Sequence, residues 1–446
     1  MKNPFLRGIC YVSMVFLAVA LGLIILANYK LHSGVEIIDA LTSPEVTEPA
    51  GSSAQPMTNP TEEPQQTERP TEPENAQNVT IAFAGDIVCH SGLNSEALVG
   101  ADYDYTKIFG GASGYLQAAD YAVCTLETTL PETAEYTGYP TFKSPAALAA
   151  GLKNIGIDLV STATNHCMDA YQAGLKQTLD VLDKNELAHV GTYRSPAERN
   201  ENSGVYTADI NGVSAAFLSY TYGTEDFSID SFDYAVNVFY TDYLTDKTTI
   251  DYDLIKSDMA AARELDTDII VVIMHWGNEY YSSPIADQYE LADLLFAEGA
   301  DVIVGGHSHI PQPIEVREVV CEDGSAKTGY ICYSLGNFVS CQNDDLTYLT
   351  AVLNVTVTKD LDTGDTYVSD MNYVPMFMVD TDDYDIEGAE WRYRLWDLRS
   401  AITSYENGDN LGVINEKMYE ALKKGLEDIH AQLGFDYDIT EVWANG

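Results

Sequence analysis

The sequence predicts an α/β fold, and two observations support that prediction. First, seven short apolar runs rich in β-branched residues alternate with stretches of helical periodicity, which is typical of a sheet covered by helices. Second, hydrophobic residues make up 46% of the 446-residue chain, an ordinary value for a chain that buries a core. The runs predicted as strands read VTIAFAG, YAVCTLE, IDLVSTA, AAFLSY, DIIVVIMHW, DVIVGG and YICYSLGNFV.

Helical periodicity lies between several of these strands, and helices are predicted over 146–154, 173–185 and 288–299. After Lys359 the pattern is less regular. The stretch TYVSDMNYVPMFMV reads as a strand, and helices are predicted over 390–405 and 415–433. We therefore expect a main α/β domain over 79–380 and a helical extension over 381–446 that packs on it.

The N-terminal region contains an uncharged run, ICYVSMVFLAVALGLIILA, over residues 9–27. At a rise of about 1.5 Å per residue it is long enough to cross a hydrocarbon core of about 30 Å. Lys2 and Arg7 precede it, so the positive-inside rule puts the N-terminus in the cytoplasm. We expect residues 1–30 to form a single-pass anchor in the cell membrane, with the remainder extracytoplasmic. A cleaved signal peptide is the alternative, but no persuasive small-x-small cleavage site follows the run.

Residues 31–78 form a segment of different composition. From about Ser43 the segment consists of Pro, Thr, Glu and Gln with almost no apolar residues. Such a composition cannot bury a core, so it predicts a disordered stalk. The folded domain is expected to begin near Val79.

The chain is strongly acidic, with 69 acidic and 23 basic residues and a formal charge of −46. This balance argues against a nucleic-acid partner, because phosphate binding needs clustered lysine and arginine. An acidic surface that keeps an exported protein soluble is the simpler interpretation.

Six cysteines follow the apolar run, and they form no C-x-x-C pair. A thiolate zinc site is therefore not expected. Cys321, Cys332 and Cys341 are close enough in sequence for one disulfide in an oxidising compartment. The alternative is that all six are small buried hydrophobic residues.

Polar side chains that bind metals stand where the apolar strands end. They are Asp86, Glu127, Asn165 with His166, His275, and the pair His307 and His309. Loops at the carboxyl ends of parallel strands gather at one edge of a sheet, so these side chains are expected to converge. Carboxylate, amide oxygen and imidazole are all ligands of divalent cations. In the Gly306–His309 stretch, a glycine turn could aim both imidazoles inward.

These segments resemble the CapA family, which is associated with poly-γ-glutamate capsule synthesis and is a branch of the calcineurin-like metallophosphoesterase superfamily. The resemblance covers 79–339, more than half of the chain. The matching segments are Gly85-Asp86-Ile87, Leu126-Glu127, Asn165-His166, His275-Trp276-Gly277, Gly305-Gly306-His307-Ser308-His309 and Tyr333-Ser334-Leu335-Gly336-Asn337-Phe338.

The resemblance implies a four-layer α/β/β/α sandwich of metallophosphoesterase type, here preceded by a transmembrane helix and a disordered stalk. It also implies two divalent ions (Mn, Fe or Zn) at the strand ends. By the family pattern, the first ion is bound by Asp86 and His309, and Glu127 bridges the two ions. The second is bound by Asn165, His275 and His307, and His166 is the nearby acid or hydrogen-bond donor.

The sequence departs from the superfamily pattern in the first motif and at the bridging position. Val88 stands where related phosphoesterases have histidine in Asp-x-His. Either His90 takes its place, or that ion is held weakly. Glu127 is one methylene longer than the aspartate it replaces, which would change the spacing of the ions.

Three further residues each have two interpretations. Lys143 either neutralises a bound anion or is a surface lysine. Asn337 shapes a turn, or else takes part in the site. Asp169 either orients His166 through a hydrogen bond or caps the next helix.

Two functions follow as expectations. The first is a metal-dependent hydrolase that acts on a phosphoester or amide, with an anionic polymer or phosphoester as substrate. The second is a non-catalytic subunit that binds or exports a polymer, working with membrane subunits of capsule synthesis. A binding module with a degenerate site is a third reading, which the near-complete ligand set disfavours.

Overall fold

The computed structural model describes residues 73–133, 135–321, 324–386 and 388–439. The predicted membrane anchor and nearly all of the predicted stalk lie outside these residues. Within the described ranges, no helix combines the length and the apolar character needed to cross a bilayer.

The predicted runs coincide with nine strands, whereas the long strands Pro311–Val320 and Leu349–Asp360 were not predicted. The described residues contain sixteen strands in all. They are β1 (Ala76–Ile87), β2 (Leu98–Val99), β3 (Asp102–Tyr103), β4 (Tyr121–Leu126), β5 (Leu159–Ser161), β6 (Ala188–Val190), β7 (Tyr206–Ile210), β8 (Val213–Thr221), β9 (Ile269–His275), β10 (Val302–Gly306), β11 (Pro311–Val320), β12 (Ala326–Leu335), β13 (Asn337–Val339), β14 (Leu349–Asp360), β15 (Thr366–Asp380) and β16 (Tyr393–Asp397).

The helices of the described residues alternate with these strands. They are α1 (Ser91–Glu96), α2 (Gly110–Ala118), α3 (Ala147–Asn154), α4 (Tyr171–Lys184), α5 (Pro196–Asn200), α6 (Tyr252–Glu264), α7 (Ala286–Ala297), α8 (Leu398–Glu406) and α9 (Glu416–Leu433). The predicted helices over 146–154, 173–185 and 288–299 are confirmed, each displaced by no more than two residues at either end.

The strands form two mixed sheets and one short hairpin. The first sheet has the order β16-β15-β14-β1-β4-β5-β6, with β13 also paired to β1. The second has the order β11-β12-β10-β9-β8-β7. In the first sheet β1, β4 and β5 run parallel, and in the second β8, β9 and β10 do so. The α/β prediction is therefore confirmed. In the first sheet the parallel strands continue to the β6 edge and the antiparallel strands lie on the other side of β1. In the second sheet antiparallel strands lie at both edges.

The sheets face each other across a shared apolar core. Phe83 of β1 and Val123 of β4 belong to one buried cluster together with Phe217 and Val271 of the second sheet. The alternate residues of the same strands belong to a second cluster, which they share with residues of helices α2, α3, α4, α6 and α7. This alternation follows from the two-residue period of a strand, which presents successive side chains to opposite faces.

The predicted helix over 390–405 is wrong in its first half. Strand β16 occupies Tyr393–Asp397 and pairs antiparallel with β15, and the helix begins only at Leu398. Tyr393 and Leu395 are buried while Arg394 and Trp396 are partly exposed, which is a strand pattern too short to recognise beside a helical run. The Asp397 side chain accepts a hydrogen bond from the Ser400 N–H and so starts the helix.

The structure also refines the beginning of the domain and decides between the two interpretations of the cysteines. Strand β1 begins at Ala76, three residues before Val79, because Ala76–Asn78 pair with the far end of β14. Cys89, Cys124, Cys167, Cys321, Cys332 and Cys341 are all free thiols. The possible disulfide among the last three is therefore not formed, and four of the six cysteines are buried as small hydrophobic residues.

Candidate metal centre

The polar strand ends of both sheets meet at one edge of the sandwich. Asp86 lies in β1, Glu127 follows β4, and Asn165 and His166 follow β5, all in the first sheet. His275 ends β9, and His307 and His309 follow β10, in the second sheet. None of these side chains is more than 6% exposed. The structure therefore brings all seven of the main predicted site residues together.

Glu127 lies at the centre of this cluster. Its Oε1 is 3.6 Å from Nε2 of His275 and 4.0 Å from Nε2 of His166. Both carboxylate oxygens are buried and accept no hydrogen bond from the described residues. Burial acts to raise the pKa of Glu127, but the nearby His275 and His309 outweigh it and hold that pKa below its usual range. A buried carboxylate without hydrogen bonds is costly unless a cation accompanies it.

Asp86 presents one oxygen to the same space. Its Oδ2 accepts a 2.7 Å hydrogen bond from the backbone N–H of His307. Its Oδ1 has no hydrogen-bond partner among the described residues and lies 3.7 Å from Nδ1 of His275. Burial raises the pKa of Asp86 to about 6, against the opposing effect of His275. Gly306 makes this approach possible, because a Cβ there would lie 2.4 Å from Oδ1 of Asp86.

The donor atoms fall into three overlapping groups of metal-binding size. Within each group the atoms lie within 4.8 Å of one another, and the groups are Asp86, Glu127 and His309; Glu127, His275 and His307; and Glu279, His307 and His309. Glu127 belongs to the first two. Oxygen and imidazole donors with unpaired buried atoms suit divalent cations, so these side chains fit the metal that the family resemblance implies.

The backbone at His307 and His309 decides where these two rings point. Both residues have positive φ, 84° and 59°, a region that non-glycine residues rarely adopt. The sequence suggested that a glycine turn would aim the rings. Gly305 and Gly306 instead form regular strand backbone at the end of β10, and the histidines themselves take the left-handed conformation. Such strain is found where the surrounding structure holds a functional geometry.

His166 is held by Asp169. Its Nδ1 lies 2.9 Å from Oδ2 of Asp169, which also accepts a 2.5 Å hydrogen bond from the Phe142 N–H. Burial acts to lower the pKa of His166, but the hydrogen bond and charge of Asp169 raise it overall. Asp169 does not cap the next helix, whose N-cap is Ala170. The geometry therefore favours the orienting role of Asp169, with Nε2 of His166 left to face the site.

Two amides orient the remaining ligand-type side chains. Asn165 donates from Nδ2 to Glu225 Oε1 at 2.5 Å, and its Oδ1 is 2.8 Å from Nε2 of His275. Asn337 places its Oδ1 2.9 Å from Nδ1 of His309. Asn337 thus does more than shape a turn, because its side chain contacts a residue of the cluster.

His90 lies beside the ligand groups, where the charges of His309 and Glu127 act on its ring. Nδ1 of His90 lies 3.0 Å from the Val88 carbonyl oxygen and 3.3 Å from the backbone nitrogen of Cys341, and His90 is in none of the three groups. Lys143 forms backbone bridges to Thr129 and Thr137. Its side chain does not line the cleft described next.

A cleft of about 550 Å³ opens from the cluster, a size that suits a ligand larger than inorganic phosphate. Several of the residues that line it were not predicted from the sequence. Glu279 lies four residues after His275 in the same strand-end loop, and Tyr222 and Glu225 follow the end of β8; inspecting every strand end would have found them. The cleft is lined by Tyr139, Pro140, His166, Tyr222, Glu225, Tyr240, Asp246, Lys247, Gly277, Asn278, Glu279, Ile285, Asp287 and His307.

The fold and this cluster define an α/β protein with a metal-type site at the edge of paired sheets. The chain belongs to the family described as bacterial capsule synthesis protein PGA_cap, whose model matches residues 80–342.

Two curated relatives carry related names. The capsule biosynthesis protein CapA of Bacillus anthracis is 27% identical over 274 residues, which cover 59% of this chain and 60% of that protein. The PGA biosynthesis protein CapA of Bacillus subtilis (strain 168) is 33% identical over 188 residues, covering 42% and 44%. The matched regions thus span about half the length of these relatives.

Solved structures show a partial likeness. A novel phosphatase from Mycoplasma pneumoniae has a TM-score of 0.37 and 14% identity, covering 67% of this chain and 93% of that one. The calcineurin-like phosphoesterase YfkN from Bacillus subtilis has a TM-score of 0.41 and 11% identity, covering 80% and 97%.

Proposed function

We propose that this protein is a metal-dependent hydrolase of capsule or surface-polymer biosynthesis, held at the bacterial membrane by its N-terminal segment. The observation that carries the hydrolase proposal is Glu127, a fully buried carboxylate with two unpaired oxygens between donors from both sheets. In this proposal Glu127 would help to hold both of two divalent ions. Asp86 and His309 would complete one ligand set, and Asn165, His275 and His307 would complete the other.

The role of His166 follows from its contacts. Divalent ions at such a site would supply Lewis acidity and make water a stronger nucleophile at neutral pH. His166 donates a hydrogen bond from Nδ1 to Asp169, so Nε2 is the atom that faces the cleft. When protonated, His166 can donate a proton or hydrogen bond from Nε2 to the leaving group of a phosphoester or amide. Against the effect of burial, the hydrogen bond and charge of Asp169 raise the pKa of His166, which supports this role.

The location and the partners rest on other features. The uncharged run over 9–27 after Lys2 and Arg7 supports a single-pass anchor with the catalytic domain outside the cell. The names of the two Bacillus relatives support a role in capsule biosynthesis. An anionic polymer or phosphoester substrate and membrane-bound subunits of a synthesis complex are the partners that this role implies.

The test begins with elemental analysis of the purified full-length chain, beside Glu127→Gln and the exposed control Glu132→Gln. We expect about two equivalents of Mn, Fe or Zn in the wild type and in Glu132→Gln, and a sharp loss in Glu127→Gln. Retention of both ions by Glu127→Gln would contradict the bridging role. No bound metal in the wild type, even after these ions are supplied, would overturn the hydrolase proposal.

A second measurement separates catalysis from binding. Hydrolysis of bis(4-nitrophenyl) phosphate and of a γ-glutamyl 4-nitroanilide should be compared in the metal-loaded wild type and in His166→Ala. We expect one of the two to be hydrolysed and the rate to fall by about 10²–10⁴ in His166→Ala, with metal content unchanged. Metal-dependent polymer binding that survives His166→Ala, with neither probe hydrolysed, would instead support a non-catalytic subunit.

A further inference from the structure

Lys247 is a cation placed in an otherwise acidic wall of the cleft. Of the described residues that line the cleft, it is the only lysine or arginine, whereas four are carboxylates: Glu225, Asp246, Glu279 and Asp287. The Lys247 ammonium lies 4.7 Å from the centroid of the Tyr222 ring. The same ring lies 4.4 Å from that of His307. A single aromatic ring, that of Tyr222, therefore separates the Lys247 ammonium from the cluster of candidate metal ligands, which is called the metal-type cluster below.

The loop that carries Lys247 is braced. Asp242 accepts hydrogen bonds from the backbone N–H groups of Thr248 and Thr249 at about 3.0 Å, and the Thr241 N–H donates to the Thr249 carbonyl at 2.9 Å. Lys247 itself has φ 53°. These bonds fix the backbone from which the side chain projects, so its position does not depend on a mobile loop.

The stem of Lys247 is also placed by its neighbours. Its Cε lies 3.9 Å from the point where a Cβ on Gly223 would stand. The stem therefore crosses the backbone beside Tyr222, and the ammonium rests on the Tyr222 ring. A lysine stem that packs along protein surface while its charge faces a cleft is a common way to present a cation.

Within the described ranges the Lys247 ammonium forms no ion pair with a carboxylate, although the chain carries 69 acidic residues. Two carboxylates of the cleft wall already accept hydrogen bonds from other side chains. Glu225 accepts hydrogen bonds from Asn165 and from the Tyr222 hydroxyl, and Asp287 accepts one from the Tyr240 hydroxyl at 2.5 Å. The ammonium of Lys247 thus remains available to a ligand in the cleft.

We propose that Lys247 is a specificity-determining residue that binds a carboxylate of the substrate, separate from the group that reacts at the metal-type cluster. The inference rests on the proposed function, since it names the substrate class of the same site. A carboxylate suits this position better than a second phosphate. The nearby Asp246 and Glu279 repel a dianion more strongly than a monoanion. The substrate class is therefore one that carries a carboxylate in addition to its reacting group.

The test uses binding, so that it does not depend on turnover. Calorimetry on the metal-loaded full-length protein compares 4-phosphonobutanoate with butylphosphonate, which share a phosphonate for the metal site and differ by a terminal carboxylate against a methyl group. The proteins are the wild type, Lys247→Met, Lys247→Arg and the exposed control Lys184→Met. We expect the wild type to bind the carboxylate ligand about tenfold more tightly. Lys247→Met should lose this preference, whereas Lys247→Arg and Lys184→Met keep it.

The outcomes separate this inference from the proposed hydrolase. Equal binding of the two ligands by the wild type would overturn the role of Lys247, as would a preference that persists in Lys247→Met. An equal loss of affinity for both ligands in Lys247→Met would show that Lys247 has a structural role, and this too would overturn the proposal. If the protein prefers the carboxylate ligand but hydrolyses neither probe, the role of Lys247 would be supported and the hydrolase proposal would be contradicted. Failure of both phosphonates to bind would overturn both proposals.

Discussion

Nδ1 of His309 lies 2.9 Å from Oδ1 of Asn337, and the amide nitrogen of Asn337 donates in turn to Oε1 of Gln342 at 2.6 Å. The bond to Gln342 identifies which end of the Asn337 amide is the nitrogen. The atom that faces the imidazole is therefore the amide oxygen. An amide oxygen only accepts, so the proton of His309 stands on Nδ1. Nε2 is then the nitrogen left for a metal, in the group that contains Asp86 and Glu127.

Replacing Asn337 with alanine should weaken metal binding without unfolding the domain. Loss of a partner that orients a ligating histidine typically lowers metal affinity about 10–100-fold. The measurement is a metal titration followed by calorimetry, with thermal unfolding as a check on folding. Asn337→Asp keeps the acceptor and should retain most of the affinity. Equal losses in both variants would show that the acceptor oxygen is not what matters.

Metal binding should release protons at neutral pH. Burial acts to lower the pKa of His309, but Glu127, Glu279 and Asp86 raise it to about 9. Without metal the ring is therefore protonated at pH 7, and a metal must displace that proton. Metal affinity should rise with pH until about 9. Calorimetry in buffers of different ionisation enthalpy counts the protons released, and a pH-independent affinity between 7 and 9 would contradict the role of His309 as a ligand.

Gly306→Ala should abolish the site, because the added Cβ would lie 2.4 Å from Oδ1 and 2.9 Å from Oδ2 of Asp86. The carboxylate must move or the strand must shift, so we expect loss of at least one metal equivalent. The control is Gly110→Ala, where the Cβ meets nothing within 4 Å. Elemental analysis and the melting temperature distinguish a lost site from a lost fold. Full metal content in Gly306→Ala would refute the close approach.

Asp268 should stabilise the domain in a pH-dependent way. Its Oδ2 accepts hydrogen bonds from Lys359 at 2.8 Å and from the Ser214 N–H at 2.7 Å. Burial acts to raise the pKa of Asp268, but these bonds outweigh it and hold that pKa below its ordinary value. The stability from ionised Asp268 is therefore present above about pH 4 and is lost as pH falls through the lower folded pKa.

Urea unfolding of Asp268→Asn measures this contribution. At pH 7 we expect a loss of about 1–3 kcal/mol in the free energy of unfolding, the size of hydrogen bonds to a charged group. The difference from the wild type should shrink as the pH is lowered below 4. Asp266→Asn, two residues earlier and exposed, should change little. A loss that stays constant with pH would show that the charge of Asp268 is not the cause.

Much of the fold could be read from the sequence, because apolar runs bounded by glycine and polar residues mark buried strands. The strands that contain Asp86 and His275, and the strand that precedes Glu127, were all recognised in this way. The strand at Tyr393–Asp397 was not, since five residues of alternating burial carry a weak signal beside a long helical pattern. This strand pairs with β15, and the backbone edge of β15 is in place only once the sheet has assembled.

The amino-acid sequence alone determined the α/β class and the residues able to bind a metal, because local hydrophobic period and residue chemistry are properties of short segments. Only the tertiary structure decided which of these side chains meet. It left His90 out of the ligand groups and Lys143 out of the cleft wall, added Glu279 to those groups, and set Lys247 against Tyr222 beside His307. These relationships join loops from two different sheets, and their distances depend on how the sheets pack rather than on any local pattern.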